Sequence, residues 1–230
     1  MVEIIALDRV EITVEQWSWD FAKTRRKDID QHFARLAETR SVWNGRVLLL
    51  NRYDIQDGAF HGSCFETDYA SLMAWCQWDF PDPGVYNFYA AAALRAADGA
   101  YLVGEMALHT AGAGERYFPS GTPEPTDTMD GRVVDLHANL CRELLEETGI
   151  AIAELEEAPG WLLVRDRNYL ALMKQVTAHQ NADELRNRII RFLEKESQPE
   201  FSDIHIVRSR SDLDSRIPIW AIGYLEAVLK

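Results

Sequence analysis

No apolar run in this chain is long enough to cross a bilayer; the longest apolar patches, such as residues 89–94, are strand-sized. The start, MVEIIALDRVEITVEQW, carries acids early and lacks a basic segment followed by an apolar stretch, so no signal peptide is expected. Cysteine is scarce. Cys64, Cys76 and Cys141 form no CxxC pair and are odd in number, which points to reduced thiols in a cytoplasmic protein. Positive charge is also short: 24 Lys and Arg stand against 37 Asp and Glu, a formal net charge of −13. That balance argues against general nucleic-acid binding, which needs a basic face. An anionic small molecule then requires a metal or a local basic cluster to offset the field. The six histidines show no metal-ligand spacing, so zinc is not expected. Internal repeats and low-complexity tracts are absent from the sequence.

What remains is an ordinary globular composition, with 230 residues, 47% hydrophobic and 27% charged. Weak alternation over 3–14 suggests an edge strand, and Ile29, Phe33 and Leu36 recur at helical spacing within 22–37. Asn44-Gly45 and Asp57-Gly58 bracket apolar runs at 46–53 and 59–65, a hairpin pattern, and Thr67 is placed to cap a short helix through Trp78. Asp79-Phe80-Pro81-Asp82-Pro83-Gly84 is the clearest punctuation, which divides the chain into an N-terminal α+β extension, 1–83, and a main domain, 84–230. Beyond it, strands are expected at 86–96, 100–106, 160–164, 169–176 and 201–207, with helices at 181–196 and 218–229. Interspersed strands and helices give an α/β or α+β class with a mixed sheet.

The chemistry concentrates at Arg142-Glu143-Leu144-Leu145-Glu146-Glu147-Thr148-Gly149-Ile150. On a helix, Glu143 lies three positions from Glu146 and four from Glu147, so three carboxylates share a face, with Arg142 four before Glu146. Like charges at this spacing repel, whereas a divalent cation turns repulsion into coordination; hard cations such as Mg²⁺ or Mn²⁺ prefer oxygen ligands. Asp135 is a good N-cap, Leu136, Leu140 and Leu144 supply a buried stripe, and Gly149 fits a left-handed helix end. The bland alternative is a charged surface helix.

Arg142 to Ile150 resembles the core of the Nudix box, Arg-Glu-U-x-Glu-Glu-x-Gly-U with U aliphatic, at every fixed position. Pro119, Gly121 and Glu124 resemble the start of that box, and Asp127 stands where the family has glutamate. Ser120 replaces the first glycine of a Gly-Gly pair. The family arginine follows that acid by eight residues, whereas Arg142 follows Asp127 by fifteen. The extra residues are expected between Asp127 and Asp135, as a longer loop ahead of an intact helix. The resemblance spans about 84–230 in layout and leaves 1–83 unexplained.

This resemblance implies a Nudix-type α/β/α sandwich and a Mg²⁺-dependent hydrolase, with Mn²⁺ as substitute, that cleaves the diphosphate of a nucleoside diphosphate linked to another group. A nucleotide sugar or ADP-ribose type of substrate is favoured. It implies Glu143, Glu146, Glu147 and the Ser120 carbonyl as metal ligands, Glu143 also as a candidate base, and Arg142 as orienting partner. Gly121, Glu124 and Asp127 belong to the substrate loop, and Glu200 or Asp203 in the acidic 196–203 segment is a candidate distal base. Neither nucleic acid nor membrane is an expected partner, and a homodimer is left open. A nucleotide-binding module of the same fold that does not cleave, and an interaction scaffold built on 1–83, are the competing readings. Trp43, Trp75, Trp78, Tyr86, Phe88 and Tyr89 divide between core or interface roles and base stacking.

Overall fold

The computed structural model describes residues 2–229. In chain order it begins with β1 (Glu3–Leu7), β2 (Arg9–Val14), α1 (Asp20–Thr24), α2 (Arg26–Ala37), β3 (Arg46–Gln56), β4 (Ala59–Asp68) and α3 (Tyr69–Gln77). There follow β5 (Asn87–Arg95), β6 (Tyr101–Met106), β7 (Arg116–Tyr117), β8 (Ser120–Gly121), β9 (Thr128–Met129), β10 (Val133–Val134) and α4 (Leu136–Thr148). The last elements are β11 (Glu156–Glu157), β12 (Trp161–Asp166), β13 (Tyr169–Thr177), α5 (Ala182–Leu193), β14 (Phe201–Val207) and α6 (Ile219–Val228).

The fold is mixed α+β, with two mixed sheets. The larger runs β1-β12-β13-β5-β6-β14, with β7, β8 and β11 paired alongside; the smaller runs β3-β4-β2-β10-β9. Each holds one parallel pair, β5 with β13 and β2 with β4. Strand β5 shows why helices cover both faces of the larger sheet. Its alternate residues Phe88, Ala90, Ala92 and Leu94 share a core with Leu136, Leu140 and Leu144 of α4 and Leu185 and Ile189 of α5. The intervening Tyr89, Ala91 and Ala93 pack with Trp220, Ala221, Tyr224 and Leu225 of α6. A strand buried on both faces loses polar alternation, which is the pattern of 87–94.

Strand pairing crosses the break at 79–84 in both directions. β1 pairs with β12 in the larger sheet, whereas β10 pairs with β2 in the smaller one. Leu50 and Tyr86 exchange backbone hydrogen bonds of 2.9 and 2.8 Å. Ile12, Leu48, Leu50 and Phe60 consequently lie in the core that holds Leu140 and Leu172. The opposite face of the smaller sheet, through Val47, Leu49 and Phe65, packs with Trp19, Ile29, Leu72 and Trp75.

Two local details sharpen the sequence expectations. Helix α3 is capped by Asp68, which accepts from the Ser71 amide at 3.0 Å, one residue later than Thr67. Thr67 stays in β4 and is buried. Residues 128–134 form the small β9-β10 hairpin, turning at Asp130 and Gly131 with φ of 51° and 65°. The segment ahead of α4 therefore extends the smaller sheet.

Candidate active site

Helix α4 is fixed at both ends by its sequence. Asp135 accepts the Ala138 amide at 2.9 Å and satisfies one of the free N–H groups at the helix start. At the other end Gly149 has φ of 68°, and a Cβ there would lie 2.4 Å from the Phe192 ring. Backbone conformation and space thus both require glycine. The helix is anchored by its leucines, and Glu147 is buried along the same stripe, while Arg142 and Glu143 are half-buried beside it and Glu146 is exposed.

Asp127 ties the preceding loop to this helix. Its Oδ2 accepts from Arg142 Nη2 at 2.9 Å, from Asn139 Nδ2 at 3.0 Å and from the Glu124 amide at 2.9 Å. Asn139 is fully buried and its part is invisible in the sequence, where it resembles any polar helix residue. Arg142 also reaches Glu143 at 2.9 Å and Glu146 at 3.2 Å. Its guanidinium is therefore committed to three carboxylates.

Glu147 is 3% exposed, and its carboxylate accepts the Ser120 amide at 3.0 Å. Burial, then the charges of Glu143 and Glu200, raise its carboxyl well above the ordinary range. Burial likewise pushes Glu143 up to about 7; Arg142 opposes this, while Glu146 and Glu200 reinforce it. Glu200 is raised by the walls around it and then by Glu146, with His109 and Arg142 opposing. Glu143, Glu147 and Glu200 all feel the charge of Glu146, which stands on the solvent side of them.

A cleft of about 490 Å³ opens over the cluster, lined by Glu143, Glu147, Ser120, Gly121, Glu124 and, from the opposite wall, Glu200. Gly121 permits the close approach of loop and helix, since a Cβ there would sit 2.0 Å from Glu143 Oε1. Asp203 does not line this cleft; it pairs with Arg186 at 2.7 Å. The N-terminal 83 residues supply another wall through Ser41, Trp43, Gly45 and Tyr69. The Ser41 amide donates to the His109 carbonyl at 2.7 Å, and the Ala70 amide to Asn44 at 2.8 Å, which pins that wall in place. Trp43 is 80% exposed on the rim, in contrast to Trp75, Phe88 and Tyr89, which are core. No local signal marks 41–45 as part of the site, because contacts between residues far apart in sequence place it there.

The acids fit a hard divalent cation. Glu147 is a buried carboxylate with a backbone amide as its hydrogen-bond partner, and none of the described residues lining the cleft is Lys or Arg. Among the described residues no group of three or more acidic, histidine or cysteine side chains is arranged to hold a metal ion by itself. Mg²⁺ does not need one: it keeps several waters and is held through one or two carboxylates plus substrate phosphates.

No protein-family model and no curated protein matches this chain. Among solved structures it is similar to the MutT protein from Methanosarcina mazei Go1, at 16% identity and a TM-score of 0.42, over 62% of this chain and 92% of that one. It is similar also to RenU, a Nudix hydrolase from M. smegmatis, at 13% identity and a TM-score of 0.40, over 62% and 85%. A chain from the complex between the C-terminal domain of mouse MUTYH and human PCNA aligns at 13% identity and a TM-score of 0.38, over 61% and 86%.

Proposed function

We propose that this chain is a divalent-metal-dependent hydrolase that cleaves the diphosphate bridge of a nucleoside diphosphate linked to a second group, a nucleotide sugar or ADP-ribose type of compound. The observation that carries the proposal is the cluster of Glu143, Glu147 and Glu200, raised by burial and neighbouring charge, in a cleft whose described lining holds no Lys or Arg, with Glu146 on its solvent side. Glu143, Glu146 and Glu147 with Ser120 would hold Mg²⁺ or Mn²⁺. When bound, the ion neutralises the diphosphate and lowers the pKa of water to supply a nucleophile near neutral pH.

The chain's own residues then have separate tasks. Ser120, through its amide, fixes the Glu147 carboxylate, while Asp127 and Arg142 hold Glu143 in register with the loop. Glu200, which lines the same cleft, would accept a proton from water. Trp43 offers an open ring face on the rim for a base to stack on.

Product release from a panel of nucleoside-diphosphate compounds, with Mg²⁺ and with chelator, tests this reading. Hydrolysis confined to Mg²⁺ and reduced at least about 100-fold in Glu146→Gln and Glu147→Gln supports it. Equal turnover by wild type and the double variant rules it out, and binding without turnover across the panel favours a non-cleaving nucleotide-binding module.

A further inference from the structure

Behind the Ser120–Gly121 strand lies a second cavity of about 380 Å³, within the size range of small-molecule sites. It shares Tyr117, Ser120, Gly121 and Thr122 with the carboxylate cleft, so this strip is a partition with Glu143 and Glu147 on one side. On the other side stand Tyr89, Tyr169 and Trp220, with Ile219, 62% exposed, at the mouth. Tyr89 and Trp220 meet edge to face at 5.3 Å, and Tyr117 lies 6.1 Å from Trp220, which makes a continuous aromatic wall.

The polar lining has unused hydrogen-bonding capacity. Asn87 is 8% exposed; its Oδ1 accepts from Thr122 Oγ1 at 3.1 Å, and its Nδ2 has no partner among the described residues. Glu115 and Asp166 also line the cavity, and neither forms a side-chain hydrogen bond or ion pair among the described residues. Each is followed in sequence by an arginine that turns elsewhere. Arg116 goes to Glu105 at 2.8 Å and Asp214 at 2.9 Å, and Arg167 to Asp79 at 2.7 Å. None of the described residues lining this cavity is Lys or Arg. Burial already raises the Glu115 carboxyl, so the cavity opposes a further negative charge.

We propose that this second cavity receives the group attached beyond the diphosphate, and that it selects a sugar-sized group rich in hydroxyl or amine donors while rejecting acidic ones. Glu115 and Asp166 accept from such donors, Asn87 Nδ2 donates to a ring or hydroxyl oxygen, and the aromatic wall covers the apolar face of the ring. A protonated amine gains in addition from two uncompensated carboxylates and from aromatic faces. An acidic group meets like charge in a partly desolvated space, which is the arrangement that sets specificity by repulsion. This inference rests on the diphosphate hydrolase reading and on the shared lining residues Tyr117, Ser120, Gly121 and Thr122, which set the two cavities side by side.

The test uses UDP-glucosamine, UDP-glucose and UDP-glucuronate in Mg²⁺, with kcat/KM for compounds that turn over and calorimetric affinity for those that do not. The expected order is amine, then neutral, then acid, with at least about 30-fold between the ends. Glu115→Gln, Asp166→Asn and their combination should narrow that ratio towards unity while remaining folded by thermal melting. A wild type that treats the three within about threefold, or prefers the acid, overturns the inference, as does a ratio that the variants leave unchanged. Hydrolysis without the expected order leaves the hydrolase reading standing and removes the second-cavity assignment. Ordered binding without hydrolysis removes the hydrolase reading alone, and absence of both removes the two together.

Discussion

At the scale of single residues, the site is a set of carboxylates kept in an environment that opposes their charge. Glu143, raised from 4.5 to about 7, remains protonated in the fold over a range where the unfolded chain has already ionised. Stability is therefore fully present below about pH 4.5 and falls as pH climbs towards 7. With about 1.4 kcal/mol per pH unit, Glu143 alone accounts for roughly 3 kcal/mol. Urea unfolding of the metal-free protein at pH 5 and pH 8 should show this loss, and saturating Mn²⁺ should recover most of it at pH 8. Unchanged stability across that window, with or without the ion, contradicts the assigned burial. Gly121 makes a second, purely steric demand. Gly121→Ala must displace the Glu143 carboxylate, so kcat/KM should drop at least about tenfold, together with weaker metal binding. Full activity in that variant shows that Glu143 need not approach the loop.

At the scale of elements, α4 is legible in sequence because each determinant is local: a cap at Asp135, leucines at helical spacing and a glycine at the end. The segment 128–134 is expected from sequence as a loop and not as the β9-β10 hairpin, whose form depends on pairing with β2 far away in the chain. The same distance hides the role of 41–45, and nothing in the acidic segment 196–203 tells Glu200 from Asp203. Packing makes that distinction, with Glu200 across from the cluster and Asp203 on Arg186. Asp127 is the joint between loop and helix. Asp127→Ala strands Asn139 and Arg142 together and should destabilise the fold by about 2–3 kcal/mol, near the low end for a broken pair because Arg142 reaches solvent. Asp135→Ala removes only a cap and should lose about 1 kcal/mol. Thermal melts of the two variants give the comparison, and equal shifts contradict the joint.

At the scale of the whole molecule, the two sheets are built from both parts of the chain, and the cleft takes a wall from each. A fragment of 84–230 lacks β1 beside β12 and exposes the surface covered by Leu48, Leu50 and Phe60. It should not unfold cooperatively, whereas the full chain should; a sharp, reversible transition in the fragment overturns this. The most direct measurement is a calorimetric titration of Mn²⁺ into the wild type and Glu147→Gln at pH 7, in buffers of different ionisation enthalpy. Wild type should bind with release of protons from the raised carboxyls, and Glu147→Gln should bind at least about tenfold more weakly. Equal affinity in the two proteins, or binding with no proton release, contradicts a metal centre built on these carboxylates.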